Sequence, residues 1–108
     1  MPRTSLGELE EQILLVLVRL GGESYAAQVA DALTGTTGRD VSPATTFMVM
    51  RRLEQRGLVV SRTDAADPSW GGRPRRFYRV NRKAVVPLLR ASRRARLALW
   101  DGLEGLLK

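Results

Sequence analysis

The residues best suited to chemistry lie at positions 41–59, VSPATTFMVMRRLEQRGLV. Ser42 is a favoured N-cap, Pro43 suits the first helical position, and Gly57 suits the left-handed residue that ends a helix.

At about 100° per residue, the two sides of this helix differ in chemistry. The apolar side holds Thr46, Phe47, Met50 and Leu53. The opposite side holds Thr45, Met48, Arg52 and Gln55, with Ala44 and Arg51 beside them. A small, basic, hydrogen-bonding side suits a helix laid in a DNA major groove, and an ordinary surface helix is the alternative.

A β-prone run at 58–63 follows this helix, and a second one returns at 73–80. The stretch between them contains Asp67-Pro68 and Gly71-Gly72, which are typical of turns. Arginines cluster where the chain returns, at Arg73, Arg75 and Arg76, and Arg79 lies further along. A helix followed by a β-hairpin with basic residues near its tip indicates a winged helix, whose wing contacts phosphates or the minor groove. A merely solvated arginine cluster is the alternative.

Two helices are expected to precede and position this unit. Ser5 and Glu8 predict a capping box for the first, which ends near Leu20. That helix is apolar almost all round, which predicts burial on more than one side. Ser24 is expected to cap the second, from Tyr25 to about 33, and residues 34–40 are expected to form a loop. The order helix, loop, helix indicates a helix-turn-helix inside the winged helix.

A last helix is expected from about Arg82 to Leu107, with Pro87 tolerated only in its first turns. Its stripe consists of Val85, Leu88, Leu89, Ser92, Ala95, Leu99, Leu103 and Leu106. Trp100 lies at the edge of the stripe, and Arg90, Arg94 and Asp101 face away from it. A helix of this length cannot bury the whole stripe in so small a domain, which favours packing against a second subunit. The fold class is therefore mainly α with a β-hairpin (α+β), with a winged helix at 1–80 and a dimerisation helix at 81–108.

Composition excludes several classes of protein. At 108 residues the chain is expected to form one domain, and it has no cysteine and no histidine. It therefore lacks an imidazole base, a thiol nucleophile and all the usual zinc ligands except carboxylates. Glu10 and Glu11 are adjacent, so they point to different sides of a helix and cannot act as an acid–base pair. No enzyme activity, metal or cofactor is expected. A membrane span and a signal peptide are not expected either, so the expected location is the cytoplasm.

Charge is distributed unevenly along the chain. Residues 1–50 hold three arginines against six acids, and residues 51–108 hold fifteen Lys/Arg against five acids. The two halves thus carry −3 and +10, which gives the net charge of +7. Such asymmetry indicates a polyanionic partner, although coding bias toward arginine contributes to it.

The runs VSPATTF…RRLEQRGLV at 41–59 and GGRPRRFYRV at 71–80, with LGELEEQILL at 6–15 and Tyr25, resemble the PadR family of bacterial transcriptional regulators. The resemblance covers nearly the whole chain. It departs at Glu23-Ser24, where the family often has His-Gly, and at Phe47-Met48, where it has Tyr-Pro. The resemblance implies dimerisation through the first and last helices and a phosphate contact from Tyr25. In some short members a tryptophan of the last helix stacks on flat aromatic ligands, which makes Trp100 a possible effector-binding residue or, alternatively, a packing residue.

The sequence thus predicts a homodimeric, sequence-specific repressor that occludes a promoter on double-stranded DNA and is released by a small hydrophobic or aromatic effector. The expected DNA-binding residues are Tyr25, Ser42, Pro43, Ala44, Thr45, Met48, Arg51, Arg52, Arg73, Arg75 and Arg76. The expected dimer interface comprises Leu9, Ile13, Leu17, Leu89, Leu99, Trp100, Leu103 and Leu106. The alternative is a winged-helix module that binds a ligand or a protein without specific DNA recognition.

Overall fold

The structure is a computed structural model that describes residues 6–65 and 74–108. Its elements are α1 (Glu8–Leu20), α2 (Ala26–Thr37), α3 (Pro43–Gln55), β1 (Val59–Asp64), β2 (Arg75–Val80), α4 (Arg82–Trp100) and a final 3-10 turn (Glu104–Leu107). The predicted fold class is confirmed, because four helices accompany one antiparallel hairpin. Ser5, Trp70, Arg73 and the turn residues at 67–68 and 71–72 lie outside the described residues.

One hydrophobic core joins all these elements except the last turn. Helix α1 contributes Ile13, Leu14 and Leu17, each at most 1% exposed. The other core residues include Val29 and Leu33 of α2, Val49, Met50 and Leu53 of α3, Tyr78 of β2 and Val85 of α4. The core therefore fixes α3 against α1 and α2, and leaves the opposite side of α3 exposed.

The ends of α3 form as the sequence predicts. The Ser42 hydroxyl accepts a hydrogen bond from the Thr45 amide at 3.1 Å, and Pro43 occupies the first helical position. Gly57 has φ +77°, a conformation that costs other residues energy. The amide of Leu58 then donates to the Leu53 carbonyl at 2.9 Å, so the chain passes directly from the helix to β1.

The predicted cap of α1 is wrong, because this helix begins later than expected. Gly7 is its N-cap, and the Gly7 amide donates to Oε1 of Glu10 at 2.8 Å. Glu10 therefore has the capping role that the sequence assigned to Glu8, which is itself the first helical residue. The reason is that Glu10 stands three residues after the actual N-cap, the spacing that a capping box requires.

The predicted bounds of α2 are also wrong at both ends. Ser24 does not cap it, because this buried residue pairs with Tyr78, with N–O distances of 2.9 and 2.8 Å. Tyr25 is the N-cap instead. The helix continues to Thr37, through the residues expected to form a loop, and ends at Gly38 with φ +74°. The Thr37 hydroxyl donates to the Leu33 carbonyl at 2.8 Å, which stabilises this last turn.

Helix α4 ends at Trp100 and not at Leu107. Asp101 leaves the helical region with ψ 124°, and Gly102 has φ +79°. An Asp-Gly pair is a turn signal, and here it outweighs the apolar pattern that continues to 107. The exposed residues Leu103 and Leu106 therefore stand on a separate short turn.

Two glycine substitutions should shift stability in opposite directions. Gly57→Ala places a Cβ at φ +77° and is expected to lower the free energy of unfolding by about 1 kcal/mol. Gly35→Ala lies inside α2, where nothing obstructs a Cβ, and is expected to raise it by about 0.5 kcal/mol. Urea denaturation at one fixed protein concentration measures both. Equal effects of the two substitutions would contradict the assigned end of α3.

Candidate nucleic-acid interface

The exposed side of α3 collects seven residues of the predicted set. They are Ser42, Pro43, Ala44, Thr45, Met48, Arg51 and Arg52, all of them exposed. Met48 is 65% exposed, so its side chain is available for contact with a partner. The opposite side packs inward through Thr46, Val49, Met50 and Leu53. The apolar and the polar sides are therefore separated, as the helical periodicity predicts.

Hydrogen bonds shape the start of this helix. Besides accepting from the Thr45 amide, the Ser42 hydroxyl donates to Oγ1 of Thr45 at 3.0 Å. The Thr46 hydroxyl donates to the Ser42 carbonyl at 3.0 Å. The side chain of Ser42 therefore caps α3. This cap fixes the N-terminus of the helix, where the helix dipole favours an anion.

The hairpin stands beside α3 and is held there by β2. Residues pair from Val59 with Val80 to Asp64 with Arg75. Tyr78 is fully buried, and its ring meets Phe47 of α3 edge-on at 6.4 Å between centroids. Burial raises the pKa of the Tyr78 phenol, and the positive charge of Arg76 opposes that rise. Tyr78 thus anchors the hairpin to α3.

Alternation along β2 places Arg75 and Arg76 on different faces of the hairpin. Arg75 stacks on the Tyr25 ring, with its guanidinium carbon 4.2 Å from the ring centroid. Arg76 lies 3.9 Å from the Glu54 carboxylate of α3. The Ser61 hydroxyl donates to the same carboxylate. The structure therefore brings Arg75 and Tyr25 together and directs Arg76 toward the end of α3.

Tyr25 is half-buried in an aromatic and cationic stack at the base of the wing. Its ring meets Phe77 edge-on at 5.7 Å, between centroids. The guanidinium carbon of Arg62 lies over the Phe77 ring, 5.0 Å from its centroid. Such cation–π contacts each contribute about 0.5–1 kcal/mol at exposed sites. Tyr25 therefore joins the start of α2 to the hairpin.

Sequence reasoning missed the structural role of Arg62. Its Nε lies 2.9 and 2.8 Å from the two carboxylate oxygens of Glu23, and its Nη1 lies 2.9 Å from Asp64. Hydrogen bonds to Glu23, and then to Asp64, raise the pKa of Arg62. The sequence does contain a signal for the Arg62–Asp64 pair, because residues two apart in a strand lie on the same face. The long-range partner Glu23 left no signal in the local pattern.

Helices α1 and α4 form a second feature, a groove of about 380 Å³ that includes Trp100. Trp100 is 48% exposed there. Leu15 and Leu97, which the sequence reasoning did not select, also line the groove. Arg90, which the sequence predicts to face away from the apolar stripe, is exposed and lines this groove, because the groove lies beside the stripe and not along its centre.

The residues predicted for a dimer interface divide into three groups. Ile13 and Leu17 are buried inside the core of this chain and have no surface for a partner. Leu9 and Leu89 are half-buried against the core. The exposed members are Leu99, Trp100, Leu103 and Leu106.

Within residues 6–65 and 74–108, no cluster of three or more acidic, histidine or cysteine side chains has the geometry to hold a metal ion. In the same ranges no helix is long and apolar enough to cross a membrane.

Glu10 and Glu11 do point to different sides of α1. Glu10 accepts a hydrogen bond from Arg56 at 3.1 Å, and Glu11 accepts one from Arg96 at 3.0 Å.

Comparisons with known proteins identify the family. The profile of the penicillinase repressor family matches residues 6–70. No curated protein sequence is significantly similar to the chain. Among solved structures, a PadR family transcriptional regulator from Eggerthella lenta is 29% identical, with a TM-score of 0.68, over 94% of this chain and 87% of that one.

Two further structures share the fold at lower identity. A PadR-like regulator from Bacillus cereus is 19% identical, with a TM-score of 0.69, over 93% of this chain and 91% of that one. The DNA binding of BpsR from Bordetella bronchiseptica is regulated by 6-hydroxynicotinic acid. BpsR is 20% identical, with a TM-score of 0.65, over 96% of this chain and 72% of that one. The chain therefore belongs to the penicillinase repressor family, and it resembles PadR family transcriptional regulators in sequence and fold, as its sequence predicted. Its relatives are transcriptional regulators and not enzymes.

Proposed function

We propose that this protein is a homodimeric repressor that occludes a promoter by binding a pseudo-palindromic operator. The observation that carries the proposal is the exposed side of α3, where Thr45, Met48, Arg51 and Arg52 project beside a wing that is anchored to the same helix. In a two-fold dimer the two copies of α3 would enter major grooves about one DNA turn, roughly 34 Å, apart.

Each residue of α3 has a role suited to its chemistry. Arg51 and Arg52 carry guanidinium groups that can bind guanine or phosphate with two parallel hydrogen bonds. Met48 is apolar and exposed, which suits contact with a thymine methyl group. Thr45 donates to base edges or phosphate. Ser42, Pro43 and Ala44 form the first turn, where a small surface allows the helix to approach the DNA backbone closely.

The wing would contact the backbone beside the major groove. Arg75 and the Tyr25 beneath it lie on one side of the hairpin, and Arg76 lies on the side toward α3. Arg75 and Arg76 would bind phosphate, and the Tyr25 hydroxyl would donate to the same strand. Arg73, which lies outside the described residues, is assigned to the wing from its place in the sequence alone.

The proposed dimer forms through α4, the turn after it and the exposed part of α1. Four leucines of α4 and of the turn after it are strongly exposed. They are Leu97 at 56%, Leu99 at 76%, Leu106 at 77% and Leu107 at 61%. Leu97 lines the groove with Leu15 and Trp100, and Leu99, two residues further along α4, lies on the other side of the helix, so apolar surface is exposed around the end of α4. A second copy of the chain would cover it.

Trp100 is proposed as an effector-binding residue at the groove between α1 and α4. Its indole is half-exposed beside apolar neighbours, which suits stacking of a flat ring. An effector would release DNA if it bound the dimer that cannot bind DNA more tightly than the dimer that can.

The test of this function is a titration of the protein against the promoter DNA upstream of its own gene and against scrambled DNA, at two salt concentrations. We expect a preference for the promoter that persists at the higher salt, because base contacts depend less on counterion release than phosphate contacts do. Equal, salt-sensitive binding to both DNAs would contradict operator recognition and favour a module without specific DNA recognition.

Removing the two described wing arginines tests the role of the hairpin. Arg75→Ala with Arg76→Ala should weaken binding to all DNA sequences and reduce the salt slope by about 2, because each arginine is expected to neutralise one phosphate. The matched control is Lys83→Ala with Arg94→Ala, which removes the same charge from exposed positions of α4. If both double variants changed the slope equally, the effect would be one of net charge and not of the wing.

A charge placed on the exposed part of α4 tests the dimer. Leu99→Glu should convert the dimer to a monomer, because burying an unpaired carboxylate in an interface costs several kcal/mol. Val60→Glu is the control, since it adds the same charge to an exposed aliphatic position of β1. Light scattering measures the mass of each variant, and circular dichroism shows whether it folds. A Leu99→Glu protein that stays dimeric would remove this surface from the proposal.

A further inference from the structure

Helix α3 contains a single acid, Glu54, at the edge of the surface that is proposed to face DNA. It stands in the last turn of the helix, where a negative charge opposes the helix dipole, so the charge does not stabilise α3. Its side chain is 34% exposed. A partly exposed carboxylate beside a DNA-binding surface would also repel phosphate. The role of Glu54 must therefore lie in its contacts with the hairpin.

The Glu54 carboxylate contacts both strands of the hairpin. Its Oε2 accepts a hydrogen bond from the Ser61 hydroxyl of β1, and its Oε1 lies 3.9 Å from Nη1 of Arg76 of β2. Ser61 pairs with Tyr78, and Thr63 pairs with Arg76. Paired residues of an antiparallel hairpin lie on one face, so these four side chains share the face that is turned toward α3. Arg76 is therefore the cation that this face presents to Glu54.

The ion pair between Arg76 and Glu54 is looser than the one that Arg62 makes on the same hairpin. The Nε of Arg62 lies 2.9 and 2.8 Å from the two carboxylate oxygens of Glu23, which are hydrogen-bond distances. The 3.9 Å between Arg76 and Glu54 is too long for a hydrogen bond. The Arg76 side chain is also 43% exposed. Charge attraction alone holds it to Glu54, so Arg76 can exchange this carboxylate for another anion.

We propose that Glu54 limits the affinity of this protein for DNA, because its carboxylate holds Arg76 in the free protein and must be exchanged for a phosphate when DNA binds. The proposal rests on the proposed DNA-binding regulator and adds a residue that weakens its binding to every DNA sequence. Phosphate contacts carry no sequence information, so promoter and scrambled DNA are affected equally. In a chain with a net charge of +7, such a residue restrains binding to DNA of unrelated sequence.

A purely structural role for Glu54 is the alternative. In that case the carboxylate would matter because it fastens the hairpin to α3 through Ser61, and its replacement would weaken DNA binding. Glu54→Gln separates the two roles. The amide oxygen of glutamine still accepts a hydrogen bond from the Ser61 hydroxyl, whereas the charge that attracts Arg76 is lost. The two roles therefore predict changes of opposite sign in the affinity for DNA.

The experiment measures, by fluorescence anisotropy at low salt, how tightly the full chain binds the promoter duplex and a scrambled duplex. We expect Glu54→Gln to bind both about threefold more tightly, which is the size of effect that a partly exposed ion pair produces. The matched control is Asp64→Asn, which removes the same charge from β1 but leaves its partner Arg62 held by Glu23, so it should tighten binding less. When Arg76→Ala is also present, Glu54→Gln should have no effect, because the arginine that it releases is absent.

Three outcomes would overturn the proposal. They are unchanged or weaker binding by Glu54→Gln, equal tightening by Glu54→Gln and Asp64→Asn, and tightening by Glu54→Gln that persists beside Arg76→Ala. The unmodified protein is titrated with the same two duplexes. If it prefers the promoter while one of those outcomes is found, the role of Glu54 is refuted and operator recognition stands. If it binds both duplexes equally while Glu54→Gln tightens binding through Arg76, operator recognition is refuted and the role of Glu54 stands.

Discussion

Two buried, adjacent carboxylates on α1 determine how the rest of the structure is arranged. Glu10 is 4% exposed and Glu11 is 6% exposed. An ionised carboxylate without partners at such burial would cost several kcal/mol, so both must be paired. Glu10 binds its own helix terminus and Arg56, while Glu11 binds Ser92 and Arg96. One turn of α1 is therefore tied to the end of α3 on one side and to α4 on the other.

The wing is fixed by a comparable set of contacts at its base. Ser24 adds a single residue to the edge of the hairpin through its pair of hydrogen bonds with Tyr78. Tyr78 then packs on Phe47 of α3, and Tyr25 packs on Phe77 and Arg75. The start of α2, helix α3 and the hairpin thus meet around two tyrosines. A wing held at both faces keeps its arginines at a set distance from α3, which is what a two-part DNA contact requires.

Local signals predicted the parts of the fold that local chemistry determines. Ser42, Pro43 and Gly57 mark the ends of α3 because caps depend on a few neighbouring residues. Ser24 was misread as a cap, because its true partner, Tyr78, is distant in the sequence. The exposed side of α3 was predicted from periodicity, while its contacts with DNA stay a prediction. Periodicity also overextended α4, since an apolar pattern carries no sign that Asp101 and Gly102 leave the helix.

The charge asymmetry of the sequence has two physical meanings that only the structure separates. Acids of the first half neutralise arginines of the second half, in the pairs Glu10–Arg56, Glu11–Arg96 and Glu23–Arg62. This part of the asymmetry holds the chain together, and it attracts no partner. The exposed arginines of α3 and, at the α4 groove, Arg90 and Arg93 remain as two separate positive surfaces. The two surfaces lie on different helices, so a partner bound at one does not directly cover the other.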